Sequence, residues 1–65
     1  MTWNPLRLYR RRQRLKREAL DEAHFLRRRH GAEALQAARE RLKRPDLTSW
    51  GHRVIEEAIK ILKSQ

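Results

Sequence analysis

RRRHGAEALQAARERLKRPDLT, residues 27–48, holds the two breaks that divide this chain. Gly31 follows Arg27, Arg28, Arg29 and His30. Cationic side chains suit the negative C-terminal pole of a helix, and a Gly just past them can take the left-handed backbone that closes the last turn. Pro45 is the second break, because it has no amide hydrogen and disfavours helical backbone at the residue before it. Between the breaks, Leu35, Ala38 and Leu42 recur at i, i+3 and i+7 with Glu33 in the first turn, which predicts a helix over about 32–43. Pro45-Asp46-Leu47-Thr48 reads as a turn, with Thr48 or Ser49 capping a third helix over about 49–63.

Upstream of Gly31, no Gly or Pro occurs after Pro5. Asn4 is a strong N-cap, Pro5 suits the first helical position, and Trp3 can pack on Leu8 as a hydrophobic staple. The first helix is therefore expected over about 5–29. On a wheel of about 100° per residue, Trp50, Val54, Ile55, Ala58, Ile59, Ile61 and Leu62 of the third helix fill an arc of about 180°. Arg53, Glu56, Glu57 and Lys60 lie opposite. So wide an apolar arc predicts contact with two neighbours. The expected fold is all-α: residues 1–65 as one small three-helix domain, with a long basic N-terminal helix, a C-terminal helical hairpin and no strand.

Helix lengths constrain the topology. At 1.5 Å per residue the three helices measure roughly 37, 18 and 22 Å. A tight turn at Gly31 folds the second helix back along the C-terminal half of the first, and an up-down-up arrangement returns the third along the same half. Residues 5–16 then overhang. The inner face of the first helix, Leu8, Arg12, Leu15, Ala19, Ala23 and Leu26, is interrupted by a charge at Arg12, where the overhang is expected. The competing topology splays the third helix toward the N-terminal half.

Composition narrows the function. Sixty-five residues leave room for one small domain. Such a chain buries only about 60% of its unfolded surface, which argues against a deep catalytic cleft and for a non-enzymatic protein. There is no Cys, hence no disulfide, no thiolate ligand and no thiol nucleophile. Net charge is +9, from 17 Lys plus Arg against 8 Asp plus Glu. Residues 1–30 carry ten cations and three acids (10 − 3 = +7), and residues 31–65 carry seven and five (7 − 5 = +2). Thirteen of the 17 cations are Arg, whose planar fork matches phosphate and carboxylate, although a GC-rich genome also inflates Arg. Residues 1–17 are Arg-rich and free of acids, as in a transit peptide, but their removal would leave 65 − 17 = 48 residues. No apolar run approaches the length of a membrane span. The chain is read as soluble, mature as written and cytoplasmic.

Arg7, Arg10, Arg14 and Arg17 recur at i, i+3, i+7 and i+10, within about 80° of one another, and form a cationic ridge that Arg11, Arg12 and Lys16 widen. Arg14 with Glu18 and Arg17 with Asp21 can pair at i, i+4, whereas Arg7, Arg10, Arg11, Arg12 and Lys16 have no such acid. Regular guanidinium groups on a rigid helix suit a phosphate backbone, so Arg7, Arg10, Arg11, Arg14, Lys16 and Arg17 are the candidate residues for sequence-tolerant nucleic-acid binding. Trp3, Leu6 and Tyr9 lie near the ridge and could stack on bases, although the staple already accounts for Trp3. The apolar face beside them is too thin to favour a membrane surface. The alternative is an adaptor or regulatory protein docking on an acidic protein surface, with Phe25, Trp50, Val54 and Ile61 as a protein interface or homodimer seam. Phe25 stands out because it lies more than about 90° from the inner face.

Other chemistry is thinly represented. His52 has Glu56 at i+4 but no evident third ligand, and His24 and His30 have no ligand spacing, so neither metal nor cofactor is expected. No Gly-rich phosphate loop is present. The turn at residues 44–48 lacks the Gly usual in a DNA-reading helix-turn-helix, and Glu56 and Glu57 would meet phosphate on its second helix.

Overall fold

The computed structural model describes the backbone of residues 5–64 and the side chains of residues 9–64. It is all-α: α1 (Pro5–His30), one 3₁₀ turn (Gly31–Glu33), α2 (Ala34–Leu42) and α3 (Ser49–Ser64). These limits agree with the expected helices except at the start of α2, where the chain tightens into a 3₁₀ turn before the α-helix begins. The Asn4 cap, the Trp3–Leu8 staple and the side chain of Arg7 lie outside the described residues.

Each break has the local chemistry that the sequence suggests. Gly31 takes φ +57°, the left-handed conformation, immediately after α1. Its carbonyl then accepts the amide of Ala34, which starts α2 on its new course. The α2 end is closed by the amides of Lys43 and Arg44 on the carbonyls of Glu40 and Arg41, both at 3.2 Å. Across Pro45 and Asp46 the Leu47 amide reaches the Arg44 carbonyl at 3.4 Å. Thr48 is the N-cap of α3: its Oγ1 accepts the Gly51 amide at 3.0 Å, and its carbonyl accepts the His52 amide at 2.8 Å.

Among the described residues, the buried ones are Ala19, Ala23 and Leu26 of α1, Ala34 and Ala38 of α2, and Val54, Ile55, Ala58 and Leu62 of α3. Five of these nine are Ala, each 0–2% exposed. Small residues let helix axes approach closely, so the hydrophobic contribution comes from a thin seam rather than a deep core. Leu35, Ala37, Leu42, Leu47, Ile59 and Ile61 pack half-buried around it. Thus Ala34 and Ala38 face the seam of α2, and the larger Leu35 and Leu42 flank it.

Two contacts fix the direction of α3. At its start, the Trp50 indole Nε1 donates to the Glu18 carboxylate of α1. Near its end, Arg27 donates from Nη2 to the Leu62 carbonyl at 3.4 Å. The third helix therefore runs beside residues 18–27 of α1 in the up-down-up sense, and the splayed arrangement is not adopted. Arg41 of α2 pairs with Glu22 and ties the far end of the hairpin to the same stretch. Beyond this footprint, Tyr9, Arg10, Arg11, Arg12, Gln13 and Arg14 are all exposed, and Leu15 is the first half-buried residue. Arg12 avoids the cost of a buried charge because nothing covers the inner face at its level.

Candidate nucleic-acid interface

The overhanging half of α1 carries six cations over residues 10–17, and Glu18 is its first acid. All six, Arg10, Arg11, Arg12, Arg14, Lys16 and Arg17, are exposed. Arg14 pairs with Glu18 through Nε at 3.4 Å, a solvent-facing contact in which the Arg side chain is 74% exposed. Exposed pairs of this kind contribute only about 0–1 kcal/mol, so the pair does not lock Arg14 in place. The i, i+4 pair of Arg17 with Asp21 does not form among the described residues. Arg10, Arg12, Lys16 and Arg17 thus have no acidic partner among the described residues.

The helix presents these cations on two flanks. On one flank Arg10, Arg14, Lys16 and Arg17 line a shallow groove with Tyr9 and Leu20. Tyr9 is 62% exposed and Leu20 44%. On the other flank Arg10, Arg11 and Arg14 meet Trp50 at the start of α3. Arg11 and Arg14 each place Cζ 5.8 Å from the indole centroid, within cation–π range.

Three of the residues proposed for a protein interface, Phe25, Trp50 and Val54, line one open cleft between α1 and α3, and Ile61 lies apart from it. Val54 is buried within the chain, and Ile61 is half-buried against the seam. Trp50 is half-buried between α3 and the cations of α1. Phe25 remains 48% exposed, with the Arg29 guanidinium 6.0 Å from its ring centroid. It lies on the rim of that cleft, with Asp21, Leu47, Trp50 and Ile55.

Two features were not read from the sequence. The first is the meeting of Trp50 with Arg11 and Arg14, which depends on how α3 crosses α1. The second is a further basic groove between α1 and α2, lined by Phe25, Arg29, His30, Arg41, Lys43 and Arg44, with Glu40 as its one acid. The basic runs at residues 27–30 and 41–44 are a visible signal for it, but they come together only across the Gly31 turn.

Elsewhere the polar contacts are those of a solvated surface. Lys60 donates to Glu57 at 3.1 Å and Gln36 to Glu40 at 3.2 Å. His52 Nδ1 lies 2.7 Å from Glu56 Oε1, and no third ligand-type side chain joins them among the described residues. No helix among the described residues is long and apolar enough to cross a membrane. No protein-family model matches the chain, and no curated protein or solved structure resembles it.

Proposed function

We propose that this chain is a small non-enzymatic nucleic-acid-binding protein, in which α2 and α3 brace the C-terminal half of α1 and the overhanging half contacts phosphate. The observation that carries the reading is the exposure of six cations over residues 10–17, of which Arg14 alone is bonded to an acid, Glu18, among the described residues. A rigid helix with unpaired guanidinium groups gains affinity by releasing counterions from a phosphate backbone, and it reads no base in doing so. Binding is accordingly tolerant of sequence and sensitive to salt.

Titration of random-sequence oligonucleotides across salt concentrations tests this. Replacing Arg7, Arg10, Arg14 and Arg17 by Gln leaves strong helix formers in place, so folding is retained. Each lost phosphate contact lowers the log–log salt slope by roughly 0.7–0.9, and four lower it by about 3. An unchanged slope and affinity would remove the ridge as the binding surface.

A second reading is favoured by one observation, the exposure of Tyr9 and Leu20 on the flank shared with Arg10, Lys16 and Arg17. A phosphate backbone has no use for Leu20. An acidic protein partner with an apolar strip would cover both, and the chain would then act as an adaptor. Tyr9→Ser with Leu20→Ser separates the readings: oligonucleotide affinity changes little if phosphate is the ligand, whereas docking on an acidic protein would be lost.

A further inference from the structure

Arg10, Arg11 and Arg14 converge with Trp50 on one concavity of about 380 Å³ at the junction of α1 and α3. The single carboxylate bonded there is Glu18, which accepts the Trp50 Nε1–H on one oxygen and Arg14 Nε on the other. Three guanidinium groups against one carboxylate leave the hollow with a local charge of 3 − 1 = +2. Arg11 and Arg14 are one turn apart, and both lie over the same indole, Cζ to centroid 5.8 Å each. The indole face attracts both guanidinium groups, and although Arg14 gives its Nε–H to Glu18, its two Nη groups and the whole fork of Arg11 have no bonded acid among the described residues. Those N–H groups are the part of Arg that takes two oxygens of a phosphate at once.

We propose that this junction is a phosphate clamp: Arg11 and Arg14, oriented by Trp50, grip one phosphate group, with Arg10 at the mouth and Glu18 holding the indole in place. The clamp rests on the phosphate reading of α1 and deepens it, because it names one anchoring point on an otherwise uniform ridge. It also assigns Trp50 a positioning role, since the ring acts on the ligand only through the two Arg side chains. The ligand is a tetrahedral phosphate oxyanion, either a diester within a nucleic acid or a free phosphate anion.

A Trp3→Phe background leaves Trp50 as the sole tryptophan, so its emission reports on the junction. The probes are a short oligothymidylate and inorganic pyrophosphate, with oligonucleotide binding followed separately by anisotropy of a labelled strand. Saturable change in Trp50 emission is expected with the oligonucleotide. Arg11→Gln with Arg14→Gln weakens its binding by at least about tenfold and silences the emission change, while Arg12→Gln with Arg17→Gln, which removes the same charge elsewhere on α1, loses only the ridge's counterion release, weakens binding several-fold less and keeps the emission change. Trp50→Leu loses both cation–π contacts and binds about fivefold or more weakly, whereas Trp50→Phe keeps a ring and most of the affinity. Melting by circular dichroism verifies that each variant folds, and the Arg pairs decide the matter if Trp50→Leu does not. Equal effects of the two Arg pairs, or oligonucleotide binding with Trp50 silent, overturn the clamp and leave the ridge standing. A response to pyrophosphate without one to the oligonucleotide supports the clamp as a free-anion site and refutes the nucleic-acid reading. No response to either probe refutes the clamp.

Discussion

Replacing Gly31 tests the turn on which the topology depends. Gly31 has φ +57°, and a Cβ built there meets nothing within 4 Å. Sterics with the rest of the molecule are therefore absent, and the whole effect of a substitution is the backbone cost of left-handed φ. That cost is about 1–2 kcal/mol for an L-residue. It is offset in part by the roughly 0.4–1 kcal/mol gained from a stiffer unfolded chain. A net loss of about 1 kcal/mol for Gly31→Ala follows. At about 2.1 cal/mol/K per residue of unfolding entropy, 65 residues give roughly 140 cal/mol/K, so Tm falls by about 7 °C. Because the position is exposed and its Cβ meets nothing, the backbone cost is shared by Gly31→Ala and Gly31→Leu, and Gly31→Asn costs less because Asn tolerates this conformation. Thermal unfolding followed by far-UV circular dichroism measures the series. A loss that grows with side-chain size, or an Ala variant as stable as the parent, would refute the assignment of a left-handed turn in open space.

The remaining predictions concern packing and capping. Leu26, 1% exposed, is the largest side chain so completely buried, and Leu26→Ala costs about 2–5 kcal/mol against a total near 3–10 kcal/mol for a chain of this length; urea unfolding that returns less than 1 kcal/mol would show that the seam collapses around the gap. Thr48→Ala removes the acceptor for the Gly51 amide and lowers stability by about 1 kcal/mol, while Thr48→Ser retains it, so equal melting of the two would remove the cap from the account. Ile55→Asp places an unpaired carboxylate in a site 4% exposed and unfolds the domain, whereas Lys60→Asp, at the surface beside Glu57, costs about 0.5–1 kcal/mol. Comparable melting temperatures for these two variants would mean that α3 is not packed through that face.

Gly31, Pro45 and Thr48 made the helix limits legible, because each acts on its own neighbours and needs no knowledge of the tertiary fold. The overhang was legible for a related reason: helix length is a count of residues, and Arg12 marked where burial stops. The site was less so. Helical periodicity places Trp50 on the apolar arc of α3, but it does not say which part of α1 that arc meets. The meeting with Arg11 and Arg14 follows from how α3 lies beside α1, with Trp50 at Glu18 and Leu62 at Arg27, a property of two helices at once. The basic groove between α1 and α2 has the same origin, since Arg29 and Arg44 become neighbours only after Gly31 reverses the chain. Arg17 and Asp21 illustrate the opposite limit. Their spacing permits a pair, but an i, i+4 contact contributes only about 0.2–0.5 kcal/mol, too little to dictate two long side chains.

The alanine seam divides α1 into two stretches that tolerate different kinds of mutation. At Ala19 and Ala23 the limit is volume, since each added methylene must displace a neighbouring helix, and overpacking costs about 1–3 kcal/mol. At Tyr9, Arg12 and Gln13 no such ceiling exists, because no neighbouring helix covers them, whereas Arg11 and Arg14 lie against Trp50. Random variants selected for resistance to heat would be depleted of enlargements at the first set of positions and nearly indifferent to the second. Selection for the ligand would act on the overhang instead, sparing changes that keep positive charge at Arg10, Arg12, Lys16 and Arg17 but not the loss of the planar fork at Arg11 or Arg14. One helix can therefore drift toward a new partner at its free end while its docked end continues to hold the fold.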